Sequence, residues 1–509
     1  MLKQANDQNK ENKELQKIFS LAVKFFEKGD FELARKGFEI VIKDTKEQRK
    51  KGPFPRLFRE PSLRDKAEQY LKKMVGRQTQ PERKTKEKPR EIKAGKPSFS
   101  ARITKKFRKI IRHPLIVGVD ISDHSIEILQ LDEDRNIKLC ARSVLEKGIV
   151  ESAEIKDADR LGEALHQTIK GAGLDVLMAK KRLRIKGLFS LPESKVFIRE
   201  FGLETKDNLQ DQVKKKIEET VPLSLGEIYW DYINLGEQAN QTRILAVAVF
   251  KKTIDDYLQF FWGEGIDPVV FDTEAASVAR ALLPAEKQKS STAIIDIGAR
   301  TSIINIFDPR NDLSLSVSVS CAGNYFTQQI AKKLSTSEEE AEKEKQGSGF
   351  KKEPVSGVLK ECSLVLLGEI KDALKYYQNR FGLRVGKIIL SGGSSLLPGI
   401  AEHFQENLEE KVETGDPLRN IKPGSFFGDK KEALLFANVI GLAMRGLDKD
   451  YIDKGLNLLT DDVKNQEKVL QKEREKFFLY IILYFIVIFI ALLAILFTLH
   501  RLGLIKLAI

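Results

Sequence analysis

The stretch Ile294-Ile295-Asp296-Ile297-Gly298-Ala299-Arg300-Thr301-Ser302-Ile303-Ile304-Asn305-Ile306 sets an acid, a glycine and two hydroxyls between β-branched runs. This pattern predicts two buried strands joined by a tight turn whose backbone can approach a ligand closely. The chemistry on offer is phosphate holding. Turn N–H groups and the Thr301 and Ser302 hydroxyls can donate to phosphate oxygens, while the Asp296 carboxylate can hold a hydrated Mg²⁺. Taken alone, D-I-G-x-x-T describes an ordinary hairpin equally well. The same grammar recurs, however, in Leu115-Ile116-Val117-Gly118-Val119-Asp120-Ile121-Ser122-Asp123-His124-Ser125-Ile126-Glu127-Ile128-Leu129. A third run, Lys387 to Ile400, is an apolar strand ending on Gly392 and Gly393 and opening a helix, where a flat base or ribose can lie against backbone.

In this order, the three turns resemble the phosphate 1, phosphate 2 and adenosine segments of the actin, Hsp70 and sugar-kinase ATPase superfamily. The resemblance implies a two-lobed, actin-like α/β ATPase fold with ATP and Mg²⁺ between the lobes. It places Asp120 and Asp296 at the metal, and Asp120, Ser122, Ser125, Asp296, Gly298, Thr301, Gly392 and Gly393 around the nucleotide.

The segment between the first two turns narrows the family. Leu191-Pro192-Glu193-Ser194-Lys195-Val196-Phe197-Ile198-Arg199, a helix over 208–219, then Val221-Pro222-Leu223-Ser224-Leu225-Gly226-Glu227-Ile228 and Asp231-Tyr232 resemble the type IV pilus assembly family PilM, itself related to the divisome protein FtsA. The likeness spans roughly residues 114–446. Where that family prefers Gly in the first turn, this chain has Ser122, whose side chain is expected to crowd the phosphates or shift the turn. Ala341-Glu342 followed by Lys345 is similar to the family's nucleoside-contacting helix; Glu342 and Lys345 share a face at i, i+3, as they would on a plain solvated helix. Asp272, leading from a strand into a helix, is by position the candidate for aligning a water with the γ-phosphate, and equally a candidate helix N-cap. Phosphoryl transfer depends on positioning, so nucleotide binding with at most weak ATPase turnover is expected.

These residues need a large frame and have one. The 509 residues exceed a single compact core and suit a two-lobed domain, 113–447, with appendages. The net charge of +13 is concentrated: residues 81–112 hold thirteen Lys or Arg against three Glu. Cys140, Cys321 and Cys362 form no ligand spacing and fit a reducing compartment better than a disulfide scaffold. Residues 1–75 carry helical apolar periodicity around Gly29-Asp30-Phe31, which resembles one tetratricopeptide (TPR-like) hairpin or is a plain helical pair. No apolar core follows Met1, so no secretory signal peptide is expected. Residues 76–112 read as a basic disordered linker ending in an amphipathic helix, with Phe99, Ile103, Phe107, Ile110 and Ile111 on one face, which either lies on an anionic membrane surface or docks on the next domain. Stacking aromatics and polar base readers are lacking, so no nucleic-acid partner is expected.

The end of the chain points to a membrane. Phe477 to Leu499 is a run of 23 residues without a charge, expected to be a transmembrane helix. Lys464, Lys468, Lys472, Arg474 and Lys476 precede it while Arg501 and Lys506 follow, which places the N-terminal bulk in the cytoplasm and residues 500–509 outside. Just before the span, in a stretch 448–476 read as peptide and linker, Leu456-Asn457-Leu458-Leu459 resembles the Ile-Asn-Leu-Leu-Pro peptide at the cytoplasmic N-terminus of PilN, the membrane partner of PilM. An Asn among aliphatic residues suits an extended peptide in a groove. That peptide is expected to bind within its own chain or a neighbouring copy. The expectation is therefore a membrane-anchored, nucleotide-binding scaffold of pilus assembly with PilN/PilO-like partners at the inner membrane. An FtsA-like division anchor and the actin-like component of a type II secretion platform are the alternatives.

Overall fold

In the computed structural model, residues 115–175, 185–204, 208–221, 223–238, 241–422, 424, 426–427 and 431–501 are described. The expected N-terminal hairpin, basic linker and amphipathic helix lie outside these residues, as does the tail 502–509.

The duplicated strand-turn-strand grammar becomes a duplicated sheet. The chain runs β1 (Leu115–Ile121), β2 (Ser125–Leu131), β3 (Ile137–Val144), the short hairpin β4 (Val150–Glu151) and β5 (Glu154–Ile155), α1 (Ala158–Gly171), then β6 (Ile185–Leu191). It continues through β7 (Val196–Leu203), α2 (Leu209–Thr220), β8 (Ile228–Gln238), β9 (Gln241–Phe250), α3 (Lys251–Gly263), β10 (Ile266–Thr273) and α4 (Glu274–Leu282). The second half comprises β11 (Ser291–Ile297), β12 (Ser302–Phe307), β13 (Leu313–Val319), α5 (Gly323–Leu334), α6 (Glu338–Ser348), α7 (Val355–Phe381), β14 (Val385–Ser391), α8 (Ile400–Asn407) and β15 (Lys411–Thr414). Helices α9 (Ala437–Arg445) and α10 (Asp461–Arg501) complete it.

One five-stranded sheet has the order β10-β6-β1-β2-β3 and the other β13-β12-β11-β14-β15. In each, a three-strand antiparallel meander is extended by two parallel strands: β1 pairs antiparallel with β2 and parallel with β6, and β11 pairs antiparallel with β12 and parallel with β14. The β1–β2 and β11–β12 turns therefore occupy equivalent positions. Strands buried on both faces explain the unbroken apolar runs, since side chains on either face must leave water. Val117, Val119, Ile126 and Ile128 bury in one core, and Ile295, Ile297, Ile304 and Ile306 in the other.

A third sheet, β7-β9-β8, carries α2 and forms a small separate core around Val213, Ile217 and Ile244. This is the region between the first two turns, and α2 falls where a helix is expected over 208–219. Helix α9 crosses β1 and α4 so closely that side chains are excluded: a Cβ on Gly118 would sit 2.6 Å from the Val439 carbonyl oxygen, and one on Gly441 would collide with the carbonyl of Ser277. Helix α10 is continuous over 41 residues. None of the described side chains in its window Leu479–Leu496 is buried, and it is the one described helix long and apolar enough to cross a bilayer.

Candidate functional site

The two equivalent turns face one cleft of about 270 Å³, closed by the Gly392-Gly393 turn after β14 and by the start of α4. All eight residues expected around the nucleotide from the three turns, Asp120, Ser122, Ser125, Asp296, Gly298, Thr301, Gly392 and Gly393, line it. Their donor supply differs. In the first turn the Ser122 hydroxyl accepts the amides of Ser125 at 3.0 Å and His124 at 3.2 Å, and the Ser122 amide donates to the Ser125 carbonyl at 2.9 Å. The Ser122 side chain therefore folds back into its own turn and occupies two amides, where the sequence leaves open crowding of the phosphates or a shift of the turn.

In the second turn, Gly298 N–H donates to the Thr301 carbonyl at 3.1 Å, and the first amides of α5, Gly323 and Asn324, donate to the carbonyls of Gly298 and Ala299 at 3.0 and 2.6 Å. The amides of Ala299, Arg300 and Thr301 have no partner among the described residues. The turns also touch: Arg300 Nε donates to Asp123 at 3.0 Å. Gly392, at φ +82°, lies against the second turn, where a Cβ would fall 2.6 Å from an Asp296 carboxylate oxygen. A short 3-10 turn over Gly393–Leu396 leads from the Gly-Gly turn to α8.

Six carboxyls line this cleft: Asp123, which is paired with Arg300, and Asp120, Glu127, Glu193, Glu274 and Asp296. Burial raises Asp120 to about 6 against the pull of Asn438, with Asp296 adding repulsion, and burial raises Asp296 to about 6. Burial likewise lifts Glu127 and Glu193 to about 7 and pushes Glu274 well above the carboxylate range, with Glu193 the next cause. Such a cluster favours protons or a cation. One oxygen of Asp120 is buried without a hydrogen-bond partner. No group of three or more His, Cys, Asp or Glu side chains converges as a metal site among the described residues, so an ion here would take its remaining ligands from water and phosphate.

Asp272 is not in the cleft, which corrects its assignment as the catalytic candidate. It is 0% exposed and paired with Arg280 and, at 2.8 Å, with Arg445. Burial pushes its carboxyl up, but Arg280 and then Arg445 outweigh this and hold it below the usual range. Nor does it cap α4: Thr273 does, accepting the Ala276 amide at 3.2 Å. The carboxyl that reaches the cleft from this junction is Glu274; it is joined there by Glu193 of the β6–β7 connection, which accepts the Ala275 amide. The signal for Glu274 lay two residues beyond Asp272; Glu193 sits inside the Leu-Pro-x-Ser-Lys run without any mark of chemistry. Glu342 and Lys345 do share a face, but neither lines the cleft. Buried Lys345 donates to the Gly323 carbonyl at 3.0 Å, Thr327 at 2.8 Å and Glu342 at 2.6 Å, fixing α6 to the first turn of α5.

A second site holds the tail. Leu456, Asn457, Leu458 and Leu459 are 1–3% exposed, and the three leucines belong to the main core. They dock on the free edge of β10, where Leu458 N–H donates to the Phe271 carbonyl at 2.9 Å and the Phe271 amide donates to the Asn457 side chain at 3.1 Å. The Asn457 side-chain amide donates to the carbonyls of Val269 and Ile452, both at 3.2 Å, and its backbone amide to Asp231 of β8 at 2.9 Å.

The sequence profile of the type IV pilus assembly protein PilM matches residues 118–447. The chain belongs to this family. Among solved structures, the PilM-PilN type IV pilus biogenesis complex is similar at a TM-score of 0.57 and 19% identity, over 65% of this chain and 98% of that one. This establishes the shared actin-like fold. The ethanolamine utilization protein EutJ from Carboxydothermus hydrogenoformans, with a TM-score of 0.42 and 15% identity, covers 66% of this chain and 90% of that one. MreB 5 of Spiroplasma citri bound to AMPPNP has a TM-score of 0.42 and 13% identity, over 68% of this chain and 100% of that one. Both scores are too low to bear on the function of this chain. A search of curated proteins gave no match.

Proposed function

We propose that this PilM-family protein is a membrane-anchored scaffold of type IV pilus assembly whose cleft binds ATP with Mg²⁺. The observation that carries the reading is Asp120 and Asp296 brought from two equivalent turns to one cleft, with an unpartnered Asp120 oxygen and three open amides at Ala299, Arg300 and Thr301. Asp120 and Asp296 would hold the hydrated ion, which supplies charge neutralisation for the phosphates. The second turn would hold phosphate oxygens on its amides and on Thr301, while Gly392 and Gly393 leave room for the nucleoside. Glu193 and Glu274, both raised by burial, would hold a water near the phosphate end. Asp272 acts instead as the buried counter-ion of two arginines.

The apolar part of α10 would cross the inner membrane with the N-terminal bulk in the cytoplasm, as the Lys-rich stretch before it favours. The related structure contains PilM with PilN. On this reading the Leu456–Leu459 segment is a PilN-like peptide carried in the same chain, and PilN/PilO-like proteins are the partners at the membrane. The N-terminal helical residues would serve docking.

The test is nucleotide binding and turnover by the full chain in detergent. Binding that needs Mg²⁺ and is lost in Asp296→Ala, with slow turnover abolished by Glu274→Gln, supports the proposal. Equal binding by wild type and Asp296→Ala contradicts it. Asp272→Asn should behave differently, lowering stability by about 3–5 kcal/mol through two uncompensated guanidinium groups rather than acting on turnover.

A further inference from the structure

The tail's contacts bear on whether its groove is open to other chains. Arg445, at the end of α9, is 1% exposed. Besides Asp272, it donates to the carbonyls of Tyr451 at 2.9 Å, Ile452 at 3.4 Å and Leu456 at 2.6 Å. Three backbone carbonyls of the tail are therefore acceptors for a cation that belongs to the domain. Without the tail, that buried guanidinium would lose them, and an under-partnered buried charge is costly.

The connection is also short. Between Arg445 and Leu456 the chain turns tightly, with Asp448 N–H donating to the Arg445 carbonyl at 3.1 Å and Lys454 N–H to that of Asp450 at 2.8 Å, and Tyr451 and Ile452 buried. Beyond the segment, the first turns of α10 are pinned as well. Glu467 pairs with buried Lys186 of β6 and accepts the Tyr451 hydroxyl at 3.1 Å, while Lys464 reaches Asp231 at 3.5 Å and Lys468 reaches Asp453 at 2.7 Å. The segment is thus held from both ends, at an effective concentration on the order of millimolar or above.

We infer that the groove between β10 and β8 is a linear-peptide site filled in cis by residues 451–459, and that this chain is closed there to peptides of the same pattern from other chains. The inference rests on reading Leu456–Leu459 as a peptide ligand and not on nucleotide binding. It implies that partners at the membrane engage other surfaces, and that the start of α10 leaves the domain in a fixed direction.

The test uses the full chain in detergent and a fluorescent peptide spanning residues 454–462. It should bind Asn457→Ala, whose own tail has lost its side-chain amide, about 100-fold more tightly than wild type. Because that variant can lose its fold, a second one, Asp231→Cys with Lys464→Cys, is treated with a short bis-maleimide and sized under denaturing conditions. The native thiols interfere little: Cys321 and Cys362 are buried, and burial pushes Cys140 up to about 12. A bridge within one chain is expected. A peptide that binds wild type as tightly as the variant, or a bridge joining two chains, overturns the inference. A peptide that binds neither, with the bridge still within one chain, supports the docked tail and overturns instead the reading of the groove as a peptide site.

Discussion

The β1–β2 and β11–β12 turns share a grammar of acid, turn and hydroxyl, occupy equivalent places in two like sheets, and face the same cleft, yet they bring different things to it. Ser122 turns the first inward, accepting two of its amides and leaving Asp120 as its main contribution. The second keeps three amides open and has its geometry set from outside, by the first amides of α5 and by Gly392. Duplicated backbone therefore need not mean duplicated donors: one hydroxyl takes up two amides in the first turn, while three stay open in the second.

The largest effect should come from breaking the support of the second turn. Gly392→Ala places a Cβ at φ +82° against Asp296, a conformation and a contact that both disfavour a side chain. Nucleotide affinity measured by calorimetry should fall about 100-fold, while the tail remains docked.

An intermediate effect should follow pH, because each turn carries a carboxyl with a raised pKa. Asp120 and Asp296 sit at about 6, with Glu127 and Glu193 at about 7. The unfolded chain releases these protons near the ordinary value of about 4, so the folded state holds more protons between about 4 and 7, and stability falls as pH rises through that window. On the proposed reading, Mg²⁺ would replace those protons. Thermal unfolding should show a larger Mg²⁺-induced rise in Tm at pH 8 than at pH 5.5; equal rises would mean the acids of the two turns do not share an ion.

The smallest effect sharpens the contrast directly. Ser122→Gly frees the amides of His124 and Ser125, making the first turn resemble the second. Affinity should increase about five-fold, the scale of one net hydrogen bond. An unchanged or weaker affinity would show that those amides do not face the phosphates.

Much of this was legible in the sequence, for physical reasons. The turns could be read because fully buried strands leave unbroken β-branched runs, and the apolar part of α10 because a run of 23 uncharged residues is marked by length and composition alone. Ser122 was visible as a departure, but its effect was not, since nothing in the letters says whether a hydroxyl points to ligand or to its own backbone. Asp272 and Glu274 lie two residues apart at the end of β10 and the start of α4, and which one reaches the cleft depends on Arg280 and Arg445; Arg445 is 173 residues away from Asp272 in the chain. Lys345 looked like a ligand residue and is a buried brace. The groove was suggested by Leu456–Leu459, yet its floor is an edge strand that only the sheet order defines.

The most direct test of the central claim is a structure of the full chain with Mg²⁺ and a non-hydrolysable ATP analogue. The account predicts phosphate oxygens on the amides of Ala299 to Thr301, a hydrated ion between Asp120 and Asp296, and Ser122 still bonded to its own turn. Phosphates seated on the His124 and Ser125 amides, with the second turn unoccupied, would contradict it.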